Sequence, residues 1–402
     1  MQQDDQATQF INSQRPHVVM VTNHGIHRWR VDAGLPDTGG QNVYVNQLSA
    51  TLNKLGFRVT IYNRGGYPDP KTGTYRTGTV YRNDHERLVY LEDSDSEFVR
   101  KEDMLPRVPE LARSFAFNVQ SGPEPVLLVS HYWDAAAVTD TALDRFDLDV
   151  PHVWIPHSLG ILKKEGTPSD QWEDLRLDER IQTEERLLSR VNLVGATSQA
   201  VRRVLSEHHG VRDSLFLPPC VDEDYFNPDS SRSDESVIPL LAEAAGLSEE
   251  EVRRAIVITE VSRTDRSKRK DLLIEAFAQI LKRHPSALLA ITLDSSAGEP
   301  YRELVALIKQ RGIGHRVAPL GSIWEYLPSL YGHTDVYCTP SRMEGFGMSI
   351  QEAAACAVPA VASSRVPFAA EYLLGRSVET RHVPGDGTEV QVGEGAVVVP
   401  SG

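Results

Sequence analysis

The 402-residue sequence has little cysteine and no excess of positive charge. Its three cysteines, Cys220, Cys338 and Cys356, lack the spacing of metal ligands, so we expect buried, reduced thiols in a cytosolic protein. The 42 lysine and arginine residues are outnumbered by 56 aspartate and glutamate residues, which gives a net charge of −14. A basic surface for nucleic acid or for an anionic membrane is therefore not expected.

Long apolar runs are missing as well. No stretch approaches the roughly 18 apolar residues that a membrane-spanning helix needs. The N-terminal segment 1–16 is polar and acidic, the opposite of a signal peptide, so we expect a cytoplasmic protein. Neither a Walker loop nor a Gly-x-Gly-x-x-Gly segment occurs, which argues against a kinase or a dehydrogenase.

Short apolar runs alternate with helical patterns in two successive series. The predicted strands are 17–23, 58–63, 125–131, 152–158 and 193–198 in the first series, and 255–263, 287–293 and 336–341 in the second. The predicted helices include 42–57, 271–284, 301–312 and 349–356. Such alternation predicts an α/β protein of two doubly wound, Rossmann-like domains, whose ligand crevices lie at the carboxyl ends of the strands.

The domain boundary is expected near residues 218–232, inside a segment rich in proline, aspartate and serine. We therefore divide the chain into an N-terminal domain, 1–221, and a C-terminal domain, 222–402. Segment 66–85 looks like a hairpin or a surface excursion.

Glu344-Gly-Phe-Gly-Met-Ser-Ile-Gln-Glu352, after the strand at 336–341, is the strongest chemical signal. Carboxylates eight residues apart span about two helical turns, so they cannot form one tight acid–base pair on a helix. Gly345 and Gly347 let the backbone approach a ligand, and the N-terminus of the following helix offers free N–H groups to an anion. The alternative is a glycine-rich turn with solvated carboxylates.

Ser262-Arg-Thr-Asp-Arg-Ser-Lys-Arg-Lys270 is the second signal and follows the strand at 255–263. Arg263 at the strand end and Lys268 at the start of the next helix can clamp a diphosphate. A solvated basic turn is the alternative.

Together and in this order, the two segments resemble the donor-binding half of the retaining nucleotide-sugar glycosyltransferases of family 4. The resemblance implies the GT-B fold, in which two Rossmann-like domains face each other across a cleft. It also implies that Arg263 and Lys268 hold the donor diphosphate, and that Glu352 binds the nucleotide ribose. The implied contacts with the donor sugar are Glu344 and the backbone of Gly345, Phe346, Gly347 and Met348.

Three segments of the N-terminal half, 37–45, 130–135 and 156–164, with 179–182, resemble the sucrose-phosphate synthase and mannosylfructose-phosphate synthase group of that family. The resemblance places Gly39 and Gly40 beside the donor phosphate, and His157 at the reacting centre. The implied acceptor contacts are Gln41, Lys101, His131, Tyr132, His157, Lys163 and Arg180. Charge-assisted donors of this kind suit a phosphorylated sugar. The alternatives are a structural histidine and a solvated Lys163–Lys164 pair.

Two features depart from the family pattern. Val366-Pro367-Phe368 stands where relatives carry a glycine pair, which puts in doubt a backbone contact near the donor or the domain cleft. The sequence also stops at Gly-Ala-Val-Val-Val-Pro-Ser-Gly, where relatives continue into helices. We therefore expect the C-terminal helices to be missing, or the clasp between the domains to be built differently.

The resemblance implies an enzyme, a retaining hexosyltransferase with His157, Arg263, Lys268 and Glu344 at the reaction. UDP-glucose is the favoured donor and fructose 6-phosphate the favoured acceptor. The alternatives are GDP-mannose-dependent mannosylfructose-phosphate synthesis, transfer to another acceptor such as inositol phosphate, and a non-catalytic nucleotide-sugar-binding protein.

No metal and no cofactor beyond the nucleotide-sugar co-substrate is required. The Asp-x-Asp triplets are expected to be surface acidity, namely Asp93/Asp95, Asp147/Asp149 and Asp222/Asp224. The expected partners are the donor and the phosphorylated acceptor alone, with the oligomeric state left open.

Overall fold

A computed structural model describes residues 2–31, 35–385 and 387–401. The chain divides into two compact units, Met1–Cys220 and Val221–Gly402. Each is described by itself below. Within the described residues, no helix is both long enough and apolar enough to cross a membrane.

The first unit contains an eight-stranded sheet. Its strands are β1 (His17–Val21), β2 (Arg58–Arg64), β3 (Thr79–Asn83), β4 (Glu86–Leu91), β5 (Leu127–His131), β6 (His152–Ile155), β7 (Leu193–Ala196) and β8 (Leu215–Phe216). Its α-helices are α1 (Gln2–Asn12), α2 (Gly40–Lys54), α3 (Val108–Gln120), α4 (Tyr132–Arg145), α5 (Gly160–Glu165), α6 (Leu177–Leu188) and α7 (Gln199–His209).

The strand order of this sheet is β3-β4-β2-β1-β5-β6-β7-β8. All five residues of β1 are buried, as expected for a central parallel strand covered on both faces. In the register, Val18 lies opposite Val59 of β2 on one side and Leu127 of β5 on the other. The chain leaves β1 toward β2 and later returns to β5 on the opposite side. The carboxyl ends of β1 and β5 therefore form the topological switch point, where ligands bind in such sheets.

The second unit contains a second eight-stranded sheet. Its strands are β9 (Val257–Glu260), β10 (Leu288–Thr292), β11 (Val317–Leu320), β12 (Val336–Thr339), β13 (Ala360–Ser363), β14 (Glu379–His382), β15 (Glu389–Val392) and β16 (Ala396–Val399). Its α-helices are α8 (Pro228–Ser233), α9 (Val237–Ala245), α10 (Glu249–Arg253), α11 (Lys270–Arg283), α12 (Glu299–Arg311), α13 (Leu327–Gly332) and α14 (Met348–Ala355).

The strand order here is β11-β10-β9-β12-β13-β16-β15-β14. The strands from β11 to β16 in this order pair in parallel, and β15 and β14 add two antiparallel strands at one edge. The order reverses between β9 and β12, so the switch point of this unit lies at the carboxyl ends of those two strands.

The predicted fold class is confirmed, since all eight predicted strands are present and both units are Rossmann-like. The segment 66–85, expected to be a hairpin or a surface excursion, contains β3, which pairs antiparallel with β4 beyond the predicted bounds. The sequence analysis missed β4 itself, although this strand lies inside the sheet between β3 and β2.

The second half of the expected boundary segment, 218–232, is part of the second unit. Phe226 is buried in the core of the second unit, and α8 begins at Pro228. Ser231 of α8 is buried too, with its hydroxyl 3.3 Å from Cys356 Sγ. This part of the segment is thus structural, because its side chains pack against the second unit.

Two predictions about buried and exposed groups also need correction. Cys220 is exposed and Cys338 is partly buried, so only Cys356 fits the expectation of a buried thiol. Asp93 is not an exposed surface carboxylate as expected, because its carboxylate is fully buried against Arg64. The guanidinium binds it with two parallel contacts, Nε to Oδ2 at 2.7 Å and Nη2 to Oδ1 at 2.8 Å.

Replacing Asp93 by asparagine should destabilise the first unit by about 3–5 kcal/mol, because Arg64 would keep a buried charge without a counter-ion. Urea unfolding of the full chain measures the change. The control is Glu379→Gln, which breaks an exposed pair with Arg381 and should leave the unfolding curve unchanged. Equal curves for Asp93→Asn and the control would contradict the prediction.

Candidate functional site

In the second unit, two loops meet where β9 and β12 end. The first follows β9 and carries Lys268, whose Nζ donates to Glu344 Oε1 at 2.6 Å in the loop after β12. The amide of Arg342 donates to the carbonyl of Ser267 at 2.8 Å and joins the two backbones. The structure thus brings together two of the predicted site residues, and the carboxylate neutralises the lysine.

Arg263 lies in the same loop but has a different environment. Its guanidinium is 60% exposed and lies 3.6 Å from the carboxylate of Asp265. Burial opposes ionisation of Asp265, but Arg263, Lys268 and the contacts with Ser267 outweigh it and lower the pKa of that carboxyl. Arg263 therefore remains available to a solvent-borne anion.

The glycine loop after Glu344 has a fixed shape. Gly347 has φ +105° and directly precedes α14, which begins at Met348. A Cβ built on Gly347 would lie 2.8 Å from Val366 Cγ1, so only glycine fits. The ring of Phe346 is buried beside Phe368, with centroids 5.4 Å apart. In this chain, the segment that departs from the family pattern packs against the loop, and the amide of Phe368 donates to the Phe346 carbonyl at 2.8 Å.

Glu352 lies on α14 and is buried. Its Oε2 lies 3.3 Å from the hydroxyl of Tyr331. Burial raises the pKa of Glu352 to about 8, so the carboxyl is mostly protonated at pH 7.

A fully buried ion pair lies at the end of β9, at the start of the loop that carries Arg263. Lys270 Nζ is 2.9 Å from Glu260 Oε2, and it also donates to the carbonyl oxygens of Ser262 at 2.9 Å and Thr292 at 2.5 Å. These bonds fix the first residue of the loop. The sequence analysis missed this pair.

In the first unit, four of the predicted acceptor residues line one pocket. They are Lys101, Tyr132, Lys163 and Arg180. The sequence analysis did not name the other lining residues as acceptor contacts; they are Glu102, Leu105, Trp133, Leu175, Arg176 and Glu179.

The basic side chains of this pocket already have acidic partners. Glu102 lies 3.2 Å from Lys163 Nζ and 3.3 Å from Lys101 Nζ, and Lys101 also contacts Asp37. Burial lowers the pKa of Lys163 to about 8, although Glu102 opposes this shift. Lys163 thus loses part of its charge at mildly alkaline pH.

Arg180 is buried, and each of its three guanidinium nitrogens donates a hydrogen bond. Nε donates to Glu184 at 2.7 Å, Nη1 to the Tyr132 hydroxyl at 2.5 Å and Nη2 to the Ser158 carbonyl at 2.7 Å. Glu184 also accepts from the amide of Gly160 at 2.7 Å. Arg180, which lies on α6, therefore connects this helix to α4 and to the loop after β6, and the three elements form one wall of the pocket.

His131 and His157 form a pair at the carboxyl ends of β5 and β6. His131 Nδ1 lies 2.9 Å from His157 Nε2, and the ring of Tyr44 packs edge-on at 4.8 Å from the His157 ring. His157 has φ +56°, a left-handed conformation that is uncommon outside glycine. Burial lowers the pKa of His157 to about 3, so the imidazole is neutral at pH 7.

The remaining predicted residues lie at the start of α2. Gly39 precedes the helix, Gly40 is its first residue, and Gln41 Nε2 donates to Thr22 Oγ1 at 3.0 Å. Gln41 thereby links α2 to the end of β1.

Asp134 forms a buried pair that the sequence analysis did not identify. Its carboxylate lies 2.9 Å from His24 Nδ1 and accepts from the amide of His24 at 3.1 Å. This contact holds the loop after β1 against α4, across the switch point of the first sheet. Among the side chains that the structure describes, no cluster of three histidine, cysteine or acidic residues has the arrangement of a metal site.

Comparison with protein families gives two matches in chain order. The profile described as Glycosyltransferase Family 4 matches residues 38–225, and the profile described as Glycosyl transferases group 1 matches residues 248–375.

Among curated proteins, the mannosylfructose-phosphate synthase of Agrobacterium fabrum is 28% identical over 362 residues, which cover 86% of this chain and 76% of that protein. The D-inositol 3-phosphate glycosyltransferase of Corynebacterium jeikeium is 27% identical over 346 residues, covering 82% and 76%.

Among solved structures, the sucrose-phosphate synthase of Thermosynechococcus elongatus matches with a TM-score of 0.75 at 22% identity, covering 96% of this chain and 86% of that one. HepE of Anabaena, in complex with UDP and glucose, matches with a TM-score of 0.62 at 20% identity, covering 90% and 83%. These likenesses confirm the GT-B fold.

The pKa of Glu352 predicts a pH-dependent stability. Between pH 4.5 and about 8 the unfolded chain loses this proton while the folded unit keeps it, so folding stability falls as the pH rises. Glu352→Gln removes this dependence, and its melting temperature should rise relative to wild type from pH 5 to pH 8. Glu223→Gln, at an exposed carboxylate of the same unit, is the control. Parallel pH curves for wild type and Glu352→Gln would refute the raised pKa.

Proposed function

With a family 4 domain followed by a group 1 domain, the chain is a glycosyltransferase of GT-B fold, and we propose that it moves a hexose from a nucleotide sugar to a phosphorylated sugar with retention of configuration. UDP-glucose is the favoured donor and fructose 6-phosphate the favoured acceptor. The names of similar proteins support a sugar phosphate as the acceptor, and the UDP complex of HepE supports a uridine nucleotide.

The observation that carries the proposal is the pocket of the first unit. Lys101, Lys163, Arg176 and Arg180 line a small cavity, and cations in such a cavity suit a phosphate monoester. The carboxylates of Glu102 and Glu179 in the same cavity are acceptors for sugar hydroxyl groups.

In the second unit, Arg263 and Lys268 hold the donor diphosphate. An incoming diphosphate replaces Glu344 as the partner of Lys268, and the released carboxylate then accepts hydrogen bonds from the donor sugar. The amides of residues 345–348 add N–H groups at the same place. As the sugar leaves, negative charge grows on the diphosphate, and these cations and amides stabilise it.

The transfer itself needs no protein nucleophile. The bond between the anomeric carbon and the diphosphate oxygen breaks, the acceptor hydroxyl attacks the same face, and its proton passes to the leaving diphosphate. The neutral imidazole of His157 is suited to hydrogen-bond a sugar hydroxyl at this centre without adding a charge.

A donor panel tests the proposal. UDP-glucose, GDP-mannose and ADP-glucose are incubated with the chain, with fructose 6-phosphate, with inositol phosphate or with no acceptor, and nucleotide release is measured. We expect release that depends on UDP-glucose together with fructose 6-phosphate. Release with inositol phosphate alone, or with GDP-mannose alone, would favour the corresponding alternative. Nucleotide-sugar binding without release in any arm would favour a non-catalytic binding protein.

The Lys268–Glu344 contact predicts opposite effects for its two partners. Glu344→Gln frees Lys268 and should strengthen UDP binding several-fold, while transfer falls by about a hundredfold or more because the sugar contact is lost. Lys268→Met should weaken UDP binding by about tenfold. Calorimetric titration with UDP measures both.

The double variant Lys268→Met/Glu344→Gln is the control for this exchange. Replacing Glu344 strengthens UDP binding only by freeing the ammonium group of Lys268. When Lys268 is replaced as well, no cation is freed, so the double variant should bind UDP as weakly as Lys268→Met. Weaker UDP binding by Glu344→Gln than by wild type would contradict the exchange.

A further inference from the structure

Tyr337 is a buried residue of β12 whose hydroxyl lies between the two loops of the second unit's site. The hydroxyl is 3.0 Å from the carbonyl oxygen of Val261 and 2.8 Å from Ser349 Oγ. Val261 precedes Arg263 by two residues, and Ser349 follows Gly347 by two residues. A single side chain thus touches the start of one loop and the end of the other.

The hydroxyl keeps its proton and uses it for one of these contacts. Burial raises the pKa of Tyr337 well above its ordinary value. A phenol has one proton to give and accepts through its lone pairs. A carbonyl oxygen can only accept, so both contacts are hydrogen bonds when Tyr337 donates to Val261 and the Ser349 hydroxyl donates to Tyr337. The amide of Val261 also donates to the Tyr337 hydroxyl oxygen, at 3.4 Å.

Tyr331 lies between Tyr337 and Glu352. The rings of Tyr337 and Tyr331 pack edge to face with centroids 6.0 Å apart, and the hydroxyl of Tyr331 lies 3.3 Å from Glu352. Tyr337 therefore contacts residues next to both donor loops, and Tyr331 lies between it and Glu352.

We propose that Tyr337 is a positioning residue for the nucleotide sugar, because its hydroxyl sets the spacing between the Arg263–Lys268 loop and the Gly345–Met348 loop. This inference rests on the proposed function. A diphosphate and its attached sugar contact both loops at once, so a shift of one loop against the other weakens both contacts. The sequence pattern gives no reason for a hydroxyl here, since the position lies inside an apolar strand.

Tyr337→Phe keeps the ring and removes only the hydroxyl. UDP-glucose and GDP-mannose are each titrated into the full chain by calorimetry, and transfer kinetics are measured with fructose 6-phosphate. We expect the donor that wild type binds to lose about five- to tenfold in affinity, as for roughly one neutral hydrogen bond. The donor KM should rise by the same factor, with the acceptor KM unchanged.

Two further variants separate positioning from a general loss of stability. Tyr225→Phe removes a hydroxyl bond to the Trp324 carbonyl at 3.0 Å in the same unit and should leave donor affinity unchanged. Ser349→Ala should weaken donor binding as Tyr337→Phe does. The double variant should bind the donor no more weakly than either single variant, because both substitutions remove the hydrogen bond between the Tyr337 hydroxyl and Ser349 Oγ.

Wild-type donor affinity in Tyr337→Phe, or additive losses in the double variant, would overturn the inference while leaving the proposed function intact. Equal increases of the donor and acceptor KM would also overturn it, since they indicate a general structural role. A wild-type chain that binds neither nucleotide sugar would overturn the proposed function, and this inference with it.

Discussion

Both units depend on one constraint, which is that parallel strands end at the same edge of a sheet. Where the strand order reverses, the loops after two neighbouring strands diverge and leave room for a ligand. In the first unit this happens at β1 and β5, and in the second at β9 and β12. Lys268 and Glu344 follow β9 and β12 themselves, and Lys163, Arg176 and Arg180 follow β6 beside β5, whereas Lys101 and Glu102 follow β4.

The charges at these edges are already balanced in the described structure. Lys268 is paired with Glu344, Lys163 with Glu102 and Arg180 with Glu184. A buried cation without a partner is costly, so a site that waits for an anion needs a temporary counter-ion. Under the proposed function, binding at both sites would be an exchange of partners, and separating the existing ion pair would reduce the net attraction for the substrate.

The sequence was sufficient for the features that depend on local patterns. The apolar runs predict the eight strands they cover, and the glycine between Phe346 and Met348 predicts a tight approach of the backbone. Strand β4 was missed because it directly follows the predicted excursion and begins with two charged residues, Glu86 and Arg87, although both are buried.

Partners that are far apart along the chain could not be predicted. Nothing near Asp93 indicates Arg64, and nothing near Tyr337 indicates both Val261 and Ser349, because the folding of the sheet creates these contacts. One ion pair does have a signal in the sequence. Glu260 and Lys270 flank the loop from inside an apolar strand and at a helix start, where an unpaired charge is not tolerated.

The distribution of the three thiols has a practical consequence. Burial raises the pKa of Cys338 to about 12 and also raises that of Cys356, so neither forms an appreciable amount of the reactive thiolate near neutral pH. Cys220 is exposed and is the last residue of the first unit. A maleimide dye or spin label added to the unaltered chain should therefore attach at the last residue of the first unit, without any engineered cysteine.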